Sequence, residues 1–365
     1  MSNRFIDRAA PGLADLKPYK PGKPLSELER ELGITDSIKL ASNENPLGPS
    51  PRVVSAIEAE LKELTRYPDG GAFALREALA AHHGVAPDQI TVGNGSNDVL
   101  DMIARVFLGR GRESLFSQYA FAVYALSSMT TGANLNVVPA ADYGHDLAAM
   151  QARLGGDTGV VWIANPNNPT GTRIPAAPLR EFIAAVPEQT IVVVDEAYFE
   201  YVQEDDHPDA SQWLDDFPNL IVTRTFSKAY GLAALRVGYG LSHPDVADLL
   251  NRVRQPFNVD SLAQAAAIAG LTDQSYIDES VALNKRGLAQ LTEGLDRLGI
   301  PYIPSFGNFI TIDLRRDAAE VDQALLREGV VTRPIGNYGM PRHLRVSVGL
   351  PGENARFLEA LEQVL

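Results

Sequence analysis

The sequence predicts an α/β protein: a large unit with a mostly parallel central sheet flanked by helices, followed by a smaller α+β unit. Three observations carry this. From about residue 89 onward, short apolar runs alternate with helical stretches, the order that builds parallel sheets. Two of the runs, Gly159-Val160-Val161-Trp162-Ile163 and Thr190-Ile191-Val192-Val193-Val194, are continuous and β-branched, as strands covered on both faces are. The chain has 365 residues, and a single core stops growing at about 250–300, so a second unit is expected.

Each element follows from its local pattern. The opening stretch is rich in Pro and Lys, with Pro18, Pro21 and Pro24 close together, and reads as an extended arm leading into a short helix near Leu25–Leu32. Residues 1–41 are set apart as this N-terminal arm. From Pro51 to Leu64, the residues Val53, Val54, Ile57, Leu61 and Leu64 recur at helical spacing with charges between them. A second helix follows Gly70-Gly71 and carries Leu75 and Leu79. Then come a strand at Gln89–Val92, a helix at Asp98–Leu108, a strand at Ser114–Phe116, a helix at Phe121–Met129 and a strand at Leu135–Val138. The two continuous runs are central strands, and Leu220–Thr223 and Val237–Gly240 are two more. Pro244 to Leu271 is helical, a long helix covers Glu279–Leu298, and the runs Phe309–Leu314, Val330–Thr332 and His343–Val348 complete the small unit. The large unit is assigned to residues 42–252 and the small one to 253–365.

Composition narrows the function. The 46 acidic against 32 basic side chains leave a formal net charge of −14, which argues against a nucleic-acid-binding surface. There is no cysteine, so disulfides, thiolate metal sites, iron–sulfur clusters and a cysteine nucleophile are excluded. The six histidines show no ligand spacing, and no metal is expected. No run approaches the roughly 20 apolar residues of a membrane span, and Met1–Arg30 holds no apolar stretch long enough for an export signal. A soluble, cytoplasmic protein is therefore expected.

In open α/β sheets ligands bind at the carboxyl ends of the strands. Five such places are unusual here. Gly93-Asn94-Gly95-Ser96-Asn97-Asp98 turns into a helix whose first N–H groups suit a phosphate, or is simply a capped turn. Asn165-Pro166-Asn167-Asn168-Pro169-Thr170-Gly171 is nearly all turn formers. Asp195-Glu196-Ala197-Tyr198 puts an acid at the end of a buried strand, where it requires a cationic partner. Thr223-Arg224-Thr225-Phe226-Ser227-Lys228 offers a lysine among small and apolar neighbours, and Leu235-Arg236-Val237-Gly238 an arginine just downstream. Taken alone, the glycine turn reads as well as a capped turn, and a lone loop lysine is far more often a surface residue. Together a phosphate nest, a buried acid and a lysine bracketed by hydroxyls match the needs of a pyridoxal phosphate site, in which the acid pairs with the ring nitrogen and the lysine forms a Schiff base.

On these residues the sequence resembles fold-type I pyridoxal phosphate aminotransferases, and within them the histidinol-phosphate aminotransferases. The resemblance runs from Pro18-Tyr19-Lys20-Pro21-Gly22-Lys23 to Leu344-Arg345-Val346-Ser347-Val348-Gly349. It includes Asn43-Glu44-Asn45-Pro46-Leu47-Gly48-Pro49, Arg66-Tyr67-Pro68-Asp69, the Asn-Pro-Thr-Gly run ending at Gly171, and Ser227-Lys228 with Gly231-Leu232-Ala233-Ala234-Leu235-Arg236. The resemblance implies pyridoxal 5'-phosphate as cofactor and Lys228 as the Schiff-base lysine that carries the proton. Asp195 would pair with the pyridine nitrogen, and Asn168 and Tyr198 would bond the phenolic oxygen. Tyr119 would stack on the ring. Ser96, Asn97, Thr225, Ser227 and Arg236 would hold the phosphate, with Tyr67 reaching in from the other subunit of a homodimer. Arg345 and Arg333 would take the substrate's anionic groups, and Tyr19, Asn43 and Asn45 would fold over it. Two departures are visible: Ser117-Gln118-Tyr119 lacks the family's proline before the stacking aromatic, and position 234 is Ala where many relatives have Gly.

The implied reaction is a ping-pong transamination of L-histidinol phosphate with 2-oxoglutarate, giving imidazole acetol phosphate and L-glutamate. An aminotransferase for phenylalanine or tyrosine would use the same scaffold. A decarboxylase or lyase of this fold would keep the cofactor and change the outcome, and a sensor module would bind the cofactor without turnover. Such a module would require a DNA-binding segment, and no basic helix-turn-helix occurs at either end.

Overall fold

The computed structural model of the protein describes residues 33–365 throughout and, ahead of them, residues 5–9, 12–14, 16, 27, 30 and 31. Tyr19 and the prolines Pro18, Pro21 and Pro24 of the expected arm lie outside the described residues. Of the short helix expected near Leu25–Leu32, Glu27, Arg30 and Glu31 are described, and they are helical.

The elements run β1 (Ile38–Lys39), α1 (Pro51–Glu60), α2 (Phe73–His83), β2 (Ile90–Asn94), α3 (Ser96–Phe107), β3 (Glu113–Ser117), α4 (Ala122–Thr130) and β4 (Asn134–Val138). They continue with α5 (Leu147–Ala152), β5 (Thr158–Ala164), α6 (Ala176–Ala185), β6 (Ile191–Asp195), β7 (Leu220–Thr225), β8 (Val237–Ser242), α7 (Pro244–Val253), α8 (Ser261–Leu271) and α9 (Gln274–Leu298). The last are β9 (Tyr302–Ile303), β10 (Phe309–Asp313), α10 (Ala318–Arg327), β11 (Val330–Val331), β12 (Arg333–Pro334), β13 (His343–Ser347) and α11 (Pro351–Val364). The expected α/β class is therefore what the chain adopts.

The large sheet has seven strands in the order β2-β8-β7-β6-β5-β3-β4. All neighbours pair in parallel except β8, which is antiparallel to both β2 and β7. The link from Thr225 to Val237 is too short to carry a crossover helix, so β8 must run back beside β7. That short return is also where Lys228 sits. Every residue of β5 and β6 is buried, as their unbroken apolar runs require. Each fully covered valine of β6 contributes roughly 1.5–3 kcal/mol relative to exposure.

The smaller sheet is antiparallel, in the order β12-β13-β10-β9, and α9, α10 and α11 cover it. Leu40, just after β1, is buried in this smaller core beside Ile310 and Phe357, so the end of the arm is anchored there. The sequence-based division at 253 does not follow the packing. Ala263, Ala266 and Ala267 of α8 share a core with Val53 of α1 and with Leu75 and Leu79 of α2. The small alanines let α8 lie close against those helices. The cores separate within α9 instead, where Ile277 belongs to the large core and Leu291 and Leu295 to the small one.

Candidate active site

The carboxyl ends of β5, β6 and β7 open into a cavity of about 200 Å³, closed on the far side by Ala41, Ser42 and Asn43 and by the small sheet's Arg333 and Arg345. Of the residues singled out in the sequence, Asn43, Ser96, Asn97, Asn168, Asp195, Tyr198, Thr225, Ser227, Lys228, Arg236, Arg333 and Arg345 line it.

One end of the cavity is built for an anion. The turn after β2 places Gly95 at φ +78, ahead of the first residue of α3, and no side chain caps that helix. A side chain at Gly95 would collide with the Arg236 guanidinium, and one at Gly238 would strike the backbone nitrogen of Ser96. Glycine is thus required at both places for the helix N-terminus and the arginine to come together. Arg236 Nη1 donates to Ser227 Oγ at 3.2 Å, and the Ser227 N–H donates to Thr225 Oγ1 at 3.1 Å. The simple capped turn is not what forms: Asp98 accepts from the Asn94 N–H at 2.9 Å and from Asn258 at 2.7 Å, which leaves the helix N-terminus open to the cavity.

Asp195 ends β6, and β-strand alternation turns its neighbour Glu196 to the opposite face. There Glu196 accepts from Arg224 Nη2 at 2.8 Å in a buried ion pair. Asp195 Oδ2 accepts from the Tyr124 hydroxyl at 2.8 Å and Oδ1 from the Thr223 hydroxyl at 3.0 Å. Burial pushes the Asp195 carboxyl up, while these hydrogen bonds, the Ala197 N–H and the nearby Lys228 pull it back.

Lys228 extends its amine into the same space, donating to the Ser42 carbonyl at 3.2 Å and standing 5.7 Å from the Tyr198 ring centroid. Burial, reinforced by the positive charges of Arg345 and Arg236, lowers its pKa from 10.5 to about 7. Near neutral pH a large share of this amine is therefore unprotonated and nucleophilic. The Tyr198 hydroxyl, pushed up to about 12 mainly by burial, accepts from Asn43 Nδ2 at 2.9 Å.

The two arginines come from neighbouring strands. Arg333 stands directly opposite Arg345 in the β12–β13 register, so two positive side chains come to the same end of the cavity. Arg345 donates to the Asn168 side-chain oxygen and, at 2.8 Å, to the Ala41 carbonyl. Its Nε is buried with no hydrogen-bond partner among the described residues, an orphan donor of the kind a bound oxyanion satisfies.

Two of the expected residues, Tyr119 and Asn45, stand outside the lining. Tyr119 does not line the cavity; its ring tilts against Tyr143 at 5.9 Å, and its carbonyl accepts from Asn167. Phe121, two residues on, supplies the aromatic wall. The helix that begins just after Phe121 turns it toward the sheet edge three residues ahead of Tyr124, so the two lie on one face. That helical spacing, together with the strand-end rule, is the signal in the sequence that points to Phe121. Asn45 is also outside the lining. Its amide nitrogen donates to the Ala229 carbonyl and to Ser280, so it braces the loop that follows Lys228. Tyr67 is 82% exposed and stacked on Phe257 at 4.7 Å, away from the cavity of its own chain. Ala234 is exposed, so its extra methyl disturbs no packing.

Comparison with known proteins agrees with this geometry. The family described as Aminotransferase class I and II matches residues 35–361. The chain is 58% identical to Histidinol-phosphate aminotransferase 2 of Pseudomonas fluorescens, covering 100% of this chain and 99% of that protein. It is 57% identical to Histidinol-phosphate aminotransferase 2 of Pseudomonas aeruginosa, over 99% of this chain and 98% of the relative. Among solved structures, histidinol-phosphate aminotransferase from Sinorhizobium meliloti in complex with pyridoxal 5'-phosphate superposes with a TM-score of 0.89 at 31% identity, covering 100% of this chain and 98% of that one. The chain belongs to the aminotransferase class I and II family, in the branch occupied by the histidinol-phosphate aminotransferases.

Proposed function

We propose that the protein transfers an amino group between L-histidinol phosphate and 2-oxoglutarate, a step of histidine biosynthesis, with pyridoxal 5'-phosphate held in this cavity. The observation that carries the reading is Lys228, an amine tuned to about 7, facing the buried Asp195 within one cavity that ends in an anion nest. The residues fit the cofactor: a helix N-terminus with an arginine for its phosphate, a buried carboxylate for its ring nitrogen, and two hydrogen-bonding groups, Asn168 and Tyr198, for its phenolic oxygen. The relatives' names supply the substrate.

When bound, pyridoxal phosphate supplies a carbonyl carbon for the amine and a ring that draws electrons away from the substrate's α-carbon. Ser96, Asn97, Thr225, Ser227 and Arg236 fix its phosphate. Asp195, ionised, would hold the ring nitrogen protonated, and Phe121 would supply the aromatic wall beside the ring. Lys228 would be the base of the reaction: its amine would take the proton from the substrate's α-carbon and hold it as an ammonium for return. Arg345 and Arg333 hold the anionic end of either partner. Histidinol phosphate has no carboxylate, so the same guanidinium fork must accept a phosphate in one half-reaction and a carboxylate in the other. Tyr67, exposed in one chain and stacked on Phe257, would be covered by a second copy and reach that copy's phosphate nest.

The test is the absorbance of the cofactor-loaded protein on addition of L-histidinol phosphate and, separately, of L-phenylalanine. Conversion to the pyridoxamine form at much lower histidinol phosphate concentration supports the reading. The reverse ranking makes the chain an aromatic aminotransferase, and the absence of any pyridoxal band removes Lys228 from its role.

A further inference from the structure

Asp195 is gripped by a residue that none of the motifs contains. Tyr124, in the first turn of α4, is fully buried and donates its hydroxyl proton to Asp195 Oδ2 at 2.8 Å. Its ring cannot swing away. It is stacked on Trp162 with centroids 5.1 Å apart and planes 9° from parallel. Trp162 Nε1 in turn donates to Ser114 Oγ at 2.9 Å, the Ser114 and Ser128 hydroxyls lie 2.6 Å apart, and the Ser128 hydroxyl donates to the carbonyl of Tyr124 itself. The network therefore starts and ends on Tyr124, and its members Ser114, Ser128, Tyr124 and Trp162 are wholly buried. A closed, satisfied network of this kind holds one geometry far better than isolated contacts do.

A merely structural tyrosine could have donated to a backbone carbonyl or an amide. Donation to a carboxylate has a chemical consequence, because the hydrogen bond favours the charged form of its acceptor. We propose that Tyr124 is a positioning residue for the reaction: its hydroxyl holds Asp195 ionised and fixes which edge of the carboxylate faces the cavity. The inference rests on the reading that Asp195 meets the cofactor's ring nitrogen. The titratable groups around Asp195 are Tyr124 from α4, Lys228 from the loop after β7, and Tyr198 from the segment after β6. Burial and the Asp195 charge push the Tyr124 hydroxyl well above its usual value, so it remains a donor at every working pH.

The experiment compares Tyr124→Phe and Asp195→Asn with the parent in the full-length enzyme, stripped of and reloaded with pyridoxal phosphate. For Tyr124→Phe the expected result is a cofactor dissociation constant raised about tenfold, the loss of one hydrogen bond to a charged group. The acid limb of the kcat–pH profile should move up by about one unit, because the carboxyl now takes its proton more readily. KM for the amino donor should change by less than about twofold, since no substrate contact is lost. A purely structural role would lower Tm and leave the dissociation constant and the acid limb in place, and that result would overturn the inference. If Tyr124→Phe does not fold, 3-fluorotyrosine at position 124 keeps the shape and strengthens the donor; the acid limb should then move down, and an unmoved limb overturns the inference. Should Asp195→Asn bind cofactor and turn over like the parent, the reading of the site itself falls. Should Asp195→Asn be impaired and Tyr124→Phe be normal, only the role of Tyr124 falls.

Discussion

Arg345 of the small sheet and Asn168 of the loop after β5 meet in a hydrogen bond between their side chains, 177 residues apart in sequence. The bond ties the arginine proposed for the substrate's anion to the group proposed for the cofactor's phenolic oxygen, so one contact would couple the two positions. Arg345→Ala removes the guanidinium from a buried setting and leaves Asn168 and the Ala41 carbonyl without their donor. Loss of about 2–4 kcal/mol of transition-state binding is expected, roughly 30- to 1,000-fold in kcat/KM. Steady-state kinetics with glutamate and with histidinol phosphate should both show it. Normal kinetics with either substrate would remove the dual role.

The lowered Lys228 pKa predicts how the protein stripped of cofactor captures it. Only the neutral amine attacks a carbonyl, and the amine becomes neutral as pH rises through about 7. The rate of pyridoxal phosphate capture should therefore climb between about pH 6 and 8 and flatten above, because one group titrates over about two units. Stopped-flow absorbance across that range measures it. A rate still climbing toward pH 10 would mean that the amine keeps its ordinary basicity, and Lys228→Ala should show no capture at any pH.

Behind the site, Arg224 is held by Glu196 at 2.8 Å and by Asp209 at 2.7 Å, with its guanidinium 3.6 Å from the Phe199 ring centroid. The Glu196 side chain has no exposure. Removing one partner of a buried pair leaves an uncompensated charge, so Arg224→Ala should cost about 3–5 kcal/mol in urea unfolding. Arg224→Ala combined with Glu196→Gln should recover part of that loss. Additive losses in the double variant would show that the two side chains are not coupled.

Much of this molecule is legible in the sequence because strands declare themselves by composition. Val192 to Val194 could only be interior, and Asp195 at their end could only be a site residue or a liability. The same logic locates Lys228, which sits in the short return to β8 among the buried Phe226, Ala229 and Leu232. What is illegible lies in packing between distant elements. The helices α5 and α6 do not stand out from their surroundings, the former being only six residues long. The alanines of α8 carry no preference for one core over another, so the division at 253 misses their partners Val53 and Leu75. Asn45 resembles a substrate residue because it stands in a motif, yet its amide is spent on Ala229 and Ser280. Tyr124 stands in no motif at all.

Tyr67 predicts a complementation experiment. If its hydroxyl completes the phosphate nest of a second copy, Tyr67→Ala should weaken cofactor binding about tenfold, one charge-assisted hydrogen bond, without altering the fold. Mixing Tyr67→Ala protein with Lys228→Ala protein should then create hybrid dimers in which one site has both residues intact. Equilibrium dialysis and activity of the mixture should exceed the mean of the separate variants. A mixture no better than that mean would place Tyr67 outside the second copy's site.

Phe121 standing where the motif leads one to expect Tyr119 is the sharpest difference between sequence and structure, and it can be measured directly. Both aromatics follow β3, but β3 ends at Ser117 and α4 begins at Ala122, so the turn between them decides which ring reaches the cavity. Tyr119 is committed to Tyr143, with Ile303 and Met340 beneath it, whereas Phe121 lines the cavity edge-on to Tyr124 at 5.9 Å. A ring lying on a flat heteroaromatic contributes about 0.5–1.5 kcal/mol beyond its buried area. Phe121→Ala should accordingly raise the cofactor dissociation constant by roughly tenfold or more, counting the lost burial as well. Tyr119→Ala should lower Tm and leave cofactor affinity within about twofold, because its ring packs against Tyr143 and the Ile303–Met340 cluster, outside the cavity lining. The opposite ranking would return the stacking role to Tyr119 and require the turn after β3 to open when the cofactor binds.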